Sequence, residues 1–376
     1  MINLKTLAII VNYKAADLAL RAVQSVQDSA SLGPVHVVVV DNSADKDEAE
    51  RLRSNLLSGV ALRVNPENIG FGRACNLAFE EFPGEHVLLI NPDARLFPGC
   101  LARLQEMLLS NKRVAAVGPR IFWDEGSKFY LPPSYPPSLF IFQAVLGPWG
   151  PGANINRVVS ALWRRYSIKI WRATQPVKVN NLSGGHVLLK REAVQEVGGL
   201  FDPRFFLYFE DTDLFVRLKK AGYTLIIEPR AEAIHHYDQC AQQNWEEKRA
   251  LMARSHRIFL EKHCKGWKSR VKKILDRFEV PAQPDRDQLR VPDFTTPFVL
   301  EVSEKLQKGW LFEWSPNSDF MPSVGRFGKG PCMDFPEACW AMLAPGQYFG
   351  RLGSPMELGR YSQVVSWMVG KNIGHQ

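Results

Sequence analysis

The 376-residue chain has no apolar run close to the roughly 20 residues needed to cross a bilayer; even Leu139 to Leu146 is interrupted by Gln143 and closed by Gly147-Pro148. A membrane-spanning protein is therefore not expected. Cysteine is sparse. The six residues Cys75, Cys100, Cys240, Cys264, Cys332 and Cys339 are scattered without close metal-type pairs. That spacing argues against a disulfide framework and a cysteine zinc site, and it fits a reducing cytoplasm. The opening residues lead into the short apolar run Leu7 to Val11, followed by Asn12 and Tyr13 instead of a signal-type cleavage region. No P-loop follows that run either. Its place is taken by Asn12-Tyr13-Lys14, which argues against a sugar-phosphate nucleotidyltransferase with a glycine-rich phosphate loop after its first strand.

What is present is ordinary in bulk. Hydrophobic residues make up 45% and charged residues 23%, close to the averages for globular proteins, so wholesale disorder is excluded. The formal net charge of +8 favours an anionic partner: a nucleotide, a nucleic acid or an acidic membrane surface. No recognisable nucleic-acid motif accompanies the charge, which places nucleic acid last.

Four runs rich in β-branched and aliphatic residues occupy the first hundred positions: Leu7 to Val11, Val35 to Val40, Ala61 to Val64 and Val87 to Ile90. Runs of this kind suit strands covered on both faces. Helical patterns separate them at Asp17 to Gln27, Asp45 to Leu57 and Gly72 to Phe82, so the alternation predicts βα units and an open α/β sheet. Each run ends in polar residues: Asn12 and Tyr13, Asp41 and Asn42, Asn65 to Asn68, then Asn91-Pro92-Asp93. Ligands of open α/β sheets sit outside the carboxyl ends of the strands, so these groups should converge on one cleft. Helix capping would explain any one of them equally well. The turn Asn68 to Asn76, with Gly70, Gly72 and Arg73, opens a helix whose first amides suit an anion. Asp93 suits a hard cation shared with substrate phosphates.

Further on, Ser183-Gly184-Gly185 reads as a tight turn feeding a strand. The run Phe205 to Asp213 then enters an amphipathic helix carrying Arg217. Capping accounts for one acidic residue there, but Glu210, Asp211 and Asp213 crowd together, as a proton acceptor would require. A strand at Tyr223 to Ile227 precedes the pair His235-His236, one of which is a candidate metal ligand.

The ordered set resembles family 2 glycosyltransferases of the GT-A fold, in the bacterial rhamnosyltransferase-like branch, over roughly residues 5 to 262. It consists of Val-Asn-Tyr at 11–13, Val-Asp-Asn-Ser at 40–43, Asn68 to Asn76, Asn-Pro-Asp-Ala at 91–94, Ser-Gly-Gly at 183–185, Tyr208 to Arg217 and His-His at 235–236. The resemblance implies a mixed, mostly parallel sheet flanked by helices. Asn12, Tyr13, Asp41 and Asn42 would contact the base and ribose, while Asn68, Gly70, Arg73, Asn76 and Ser183 to Gly185 would line the donor pocket. Asp93 would hold Mg2+ or Mn2+ on the diphosphate, with His235 as second ligand. Asp211 would be the general base beside Glu210, with Asp213 and Arg217 toward the acceptor. The implied partners are a dTDP- or UDP-sugar and a saccharide or lipid-linked saccharide. The implied location is the cytoplasm, with peripheral attachment to the inner face of the membrane. A non-catalytic glycan-binding protein would have lost carboxylates, and Asp41, Asp93 and Asp211 are all present.

The expected organisation is a catalytic domain over 1–244, divided into a nucleotide-binding half (1–120), a variable loop (121–178) and an acceptor and base half (179–244). Basic amphipathic helices at 245–280, a linker at 281–296 and a small β-rich domain at 297–372 follow. In the last part, Phe298–Val302, Trp310–Trp314, Cys339–Leu343, Gln347–Leu352 and Ser362–Val369 read as short strands, and Trp340 to Arg351 weakly resembles a fibronectin type III-like sandwich.

Overall fold

The computed structural model describes residues 5–138, 152–236, 245–264, 292–357 and 361–370. Tyr237 to Ala241, the 265–280 part of the basic stretch and residues 281–291 of the linker lie outside them. The chain divides into two compact units. The first takes described residues up to 121, 134–138, 173–236 and 245–264; the second takes 122–133, 152–172 and the described residues from 292 onward.

In chain order the elements are β1 (Thr6–Asn12), α1 (Ala16–Asp28), β2 (Val35–Asp41), α2 (Lys46–Asn55), β3 (Ala61–Val64), α3 (Phe71–Glu81), β4 (His86–Ile90), β5 (Ala94–Leu96), α4 (Cys100–Leu109), β6 (Val114–Phe122), α5 (Gly152–Trp171), β7 (Val177–Val179), β8 (His186–Lys190), α6 (Arg191–Glu196), α7 (Glu210–Lys220), β9 (Thr224–His235) and α8 (Trp245–His263). Among the described residues the first unit holds a nine-stranded sheet ordered β3-β2-β1-β4-β8-β6-β9-β5, with β7 on β9. Strands β3, β2, β1 and β4 run parallel, and β8 then joins β4 antiparallel. The expected mixed, mostly parallel sheet flanked by helices is what forms.

Every residue of β1 is buried, as its unbroken apolar run requires. Helix α1 turns Ala16, Ala19, Ala22, Val23 and Val26 to the core, three and four residues apart. Asp45 caps α2 by accepting from the amides of Asp47 and Glu48. Strand β9 runs to His235, well beyond the expected Tyr223 to Ile227. The polar break that hid its continuation, Glu228-Pro229-Arg230, is accommodated because Glu228 is buried and paired with Arg230.

The second unit has a four-stranded antiparallel sheet ordered β12 (Val324–Gly328), β11 (Trp310–Ser315), β14 (Gly346–Gly353) and β15 (Tyr361–Val369), and a ribbon of β10 (Val299–Glu301) with β13 (Cys332–Asp334). Its core joins Trp123 and Phe129 to Phe312, Trp314, Phe335 and Trp367. Two expectations change here. Cys339 to Leu343 is no strand, because helix α9 covers Glu337–Ala341 after Pro336, whose fixed φ suits a helix entry. The variable loop at 121–178 supplies α5 and the 122–133 segment to this unit. Arg164 of α5 is 1% exposed and donates Nε to Glu313 at 2.5 Å, while Arg351 grips the same carboxylate at 2.8 and 3.1 Å.

Candidate active site

Parallel pairing of β1 with β2 sets Asn12 beside Asp41 at the strand ends, and β2 with β3 sets Asp41 beside Val64. The Asn12 amide donates from Nδ2 to Asp41 Oδ1 and to Glu48 Oε2, both at 3.0 Å, while its carbonyl accepts from the Ala15 amide. Asp41 is fully buried. Its Oδ1 also takes the Ser43 amide, and its Oδ2 has no hydrogen-bond partner among the described residues. Next to it, Asn42 donates to Asn68 at 2.8 Å and accepts from Asn65 and the Ile69 amide. Asn68 in turn accepts from Gly70 N. These residues form one hydrogen-bonded network, within which Asp41 Oδ2 is buried without a hydrogen-bond partner among the described residues. Tyr13, partly exposed, follows Asn12 at its edge.

Asp93 lies in the turn between β4 and β5 and is 4% exposed. Pairing of β5 with β9 puts His235 opposite Ala94, and His235 Nε2 stands 3.1 Å from Asp93 Oδ1. His236 instead donates its backbone amide to the Asp93 carbonyl. His186, opposite Ile90 on β8, packs its ring edge-on against His235 at 5.3 Å. Burial, then the neighbouring His235, lowers His186 to about 3, so its ring is neutral. A carboxylate oxygen and an imidazole nitrogen in contact, sealed from solvent, fit Mn2+ or Mg2+ when a diphosphate completes the coordination. No group of three His, Cys, Asp or Glu side chains among the described residues could hold an ion unaided.

Ser183 to Gly185 lie between these groups and α7. A Cβ on Gly185 would meet Asn91 Nδ2 at 2.7 Å, and one on Gly184 would meet Asp211 Cβ at 3.0 Å, so only glycine allows both approaches. Gly184 N donates to Asp211 Oδ2 at 2.9 Å, and the Thr212 amide donates to Asp211 Oδ1 at 2.6 Å. Tyr208 and Phe209 enter α7 with φ of 71° and 67°, a strained approach that aims Glu210 and Asp211. Gly70, at φ 86°, presses on this turn: a Cβ there would meet Phe206 O at 2.5 Å. Phe71 N bonds the same oxygen at 2.9 Å. Burial raises Asp211 despite its amide donors. Glu210 is 5% exposed with Oε2 unpartnered, and burial followed by the Asp211 charge pushes it up to about 8. Glu210 therefore keeps its proton at neutral pH beside the Asp211 carboxyl.

Other expected residues are engaged elsewhere. Asn76 binds the backbone of Phe201 through both its amide groups, and Arg73 Nε donates to Pro203 O. Asp213 is fully buried and held by Arg217 at 2.9 Å, Lys262 at 2.8 Å and His263 at 2.7 Å. Arg217 also grips the carbonyls of Val197, Gly199 and Leu200. Neither group has a face left for an acceptor. Helix α8, expected as part of a basic amphipathic stretch, buries Phe259 and Leu260 against Phe205 and supplies Lys262 and His263 to Asp213. Glu48 was absent from the sequence-based set. Its position three residues after Asp45 matches a capping box, which disguises a side chain that reaches Asn12 instead.

The family profile described as Glycosyl transferase family 2 matches residues 7–198. The chain is similar to an N-acetylglucosaminyl-diphospho-decaprenol L-rhamnosyltransferase of Mycobacterium tuberculosis, 31% identical over 247 residues, which are 62% of this chain and 77% of that protein. An uncharacterized Sinorhizobium fredii protein is 25% identical over 57% of this chain and 22% of its own length. Among solved structures, a Pyrobaculum calidifontis mannosyltransferase in complex with GDP-Man and Mn2+ superposes with a TM-score of 0.46 at 20% identity, over 73% of this chain and 68% of that one.

Proposed function

The chain belongs to glycosyl transferase family 2, and from that premise we propose that it is an inverting, metal-dependent transferase. It would move a sugar, rhamnose being the first candidate, from a dTDP- or UDP-sugar to a saccharide or lipid-linked saccharide in cell-surface polysaccharide synthesis. The observation that carries this reading is the contrast within one turn of α7. Asp213 is paired with Arg217 and Lys262 and bonded to His263, while Asp211, two residues earlier, has backbone and hydroxyl donors and no Lys or Arg in contact among the described residues. An oriented carboxylate with a raised affinity for protons suits removal of a proton from an acceptor hydroxyl.

In this reading Asp41 Oδ2 accepts from the nucleoside, and Asn42, Asn65 and Asn68 hold the network around it. Asp93 and His235 would hold Mg2+ or Mn2+, which when bound neutralises charge developing on the departing diphosphate. Gly184 and Gly185 let the donor sugar approach the backbone beside Asp211. Asp211 takes the acceptor proton as the new glycosidic bond forms, and Glu210 stays protonated. One base and one leaving group on opposite sides of the anomeric carbon give inversion; a retaining hydrolase needs two carboxylates astride the bond.

A lipid-linked acceptor is supported by the net charge of +8 and by the diphospho-decaprenol named in the mycobacterial relative. An anionic membrane surface is the corresponding partner, reached from the cytoplasm. No described helix is long and apolar enough to cross a membrane. Hydrolysis of dTDP-, UDP- and GDP-sugars, each with and without Mn2+, tests the proposal. Manganese-stimulated turnover of a dTDP- or UDP-sugar is expected. Equal rates in excess EDTA would remove the metal role, and inertness toward every nucleotide sugar would remove the transferase reading.

A further inference from the structure

We propose that Glu48 is the positioning residue that fixes how the site reads the nucleobase, acting through Asn12 on Asp41. The inference rests on the nucleotide placement above and adds a residue and a selectivity to it. Asn12 carries two amide hydrogens, and both are engaged, one on Asp41 Oδ1 and one on Glu48 Oε2, each at 3.0 Å. Its carbonyl accepts the Ala15 amide at 3.1 Å. No donor remains on Asn12 for a ligand, so it orients other groups and does not contact the nucleotide.

Glu48 Oε2 also accepts the Ala16 amide at 3.1 Å, which ties the first turn of α1 to α2. Together with Asp41 Oδ1 and the Ala15 amide, this oxygen fixes the amide orientation of Asn12, since a carboxylate accepts only and draws the NH2 group toward itself. With that orientation set, Asp41 Oδ1 is pinned by Asn12 and by Ser43 N, and Oδ2 is left as a buried acceptor without a partner. A lone carboxylate oxygen in this state selects a base that presents an N–H. Uracil and thymine do so at N3, whereas cytosine presents an acceptor there. Losing the match leaves a buried acceptor facing an acceptor, the costly case for a polar site.

Binding of free UDP and of free CDP, with Mn2+, to the intact chain and its variants tests the idea. The two nucleotides share ribose and diphosphate and differ at the pyrimidine. Glu48→Gln keeps side-chain volume but brings its own NH2. It should weaken UDP about tenfold and CDP by less than about twofold, with kcat at saturating donor little changed while donor KM rises. Leu52→Ala, a fully buried change on the same helix, should lower Tm yet leave the UDP-to-CDP ratio alone, which separates positioning from loosening of α2. Asp41→Asn should abolish the discrimination. If Asp41→Asn abolishes it and Glu48→Gln preserves it, the role of Glu48 is wrong and the nucleotide placement stands. If Asp41→Asn leaves UDP binding intact, the placement itself fails. Equal weakening of UDP and CDP by Glu48→Gln would mean that Asp41 reads the ribose, and would also overturn the inference.

Discussion

Replacing Asp211 by asparagine changes two things that can be measured separately. The carboxylate now accepts Gly184 N on Oδ2 and the Thr212 amide and hydroxyl on Oδ1. An asparagine has a single acceptor atom, so one of these edges must turn its NH2 toward a backbone N–H. Loss of a hydrogen bond to a charged group at a buried edge costs about 1.5–3 kcal/mol. For a unit of this size each kcal/mol lowers Tm by about 2–4 °C. The variant should therefore melt several degrees low and remain folded at 25 °C. Catalysis should fall much further, because a positioned general base contributes about 10²–10⁴-fold, equivalent to about 2.7–5.4 kcal/mol of barrier. Single-turnover transfer measures the chemical step, and titration with the matching nucleoside diphosphate measures donor binding. The expected pattern is a kcat loss of at least about a hundredfold with nucleotide affinity nearly unchanged. Turnover close to that of the parent, in a variant showing the Tm loss, would refute Asp211 as the base.

Glu210→Gln should behave differently. The folded-state carboxyl is raised from 4.5 to about 8, so the folded form holds a proton that the unfolded form has released between those values, and stability falls as pH rises through that window. The glutamine variant should match the parent near pH 4 and exceed it at pH 8 by urea titration, with activity near neutral pH largely retained. Glu313→Gln should destabilise the second unit by about 3–5 kcal/mol, because two buried guanidinium groups lose their counter-charge; the fluorescence of Trp314 and Trp367 during denaturation would show it. Gly70→Ala places a Cβ 2.5 Å from Phe206 O at φ 86° and should lower both Tm and donor affinity, whereas Gly99→Ala, at φ 75° with open space around it, should cost only about 1–2 kcal/mol. Asp93→Asn should weaken Mn2+ binding by calorimetry with nucleotide present, and equal affinity in the two proteins would exclude Asp93 as a ligand.

The parallel half of the sheet was legible because continuous apolar runs have one reading when both faces are covered, and each run ended in polar residues. Asp93 and His235 were legible as polar residues of the sequence pattern, but their contact follows from the pairing of β5 with a β9 that runs eight residues past the expected strand. The roles of Asn12 and Asp213 were not, because sequence shows a polar side chain and hides which of its atoms are already engaged. Asp213 looked like part of a reactive cluster until Lys262 and His263, some 50 residues away, were found against it. Cys339 to Leu343 was misread because its apolar residues fit a strand as well as a one-turn helix, and Pro336 decided the matter. The span 121–178 gave no pattern because its core partners, such as Glu313 for Arg164, lie about 150 residues downstream.

That last separation affects how the chain can be made and cut. The second unit is composed of 122–133, 152–172 and the stretch from 292 onward, so its buried Arg164 leaves the ribosome long before Glu313 and Arg351 exist to neutralise it. Until residues 313 and 351 have been made, α5 carries an unmatched charge and an unfilled hydrophobic face, a period in which a chaperone has something to hold. Trimming the gene at the apparent linker would make that transient condition permanent. The β-rich stretch from 292 onward is thus the later-made part of a unit begun at residue 122, and cannot be removed as an appendage.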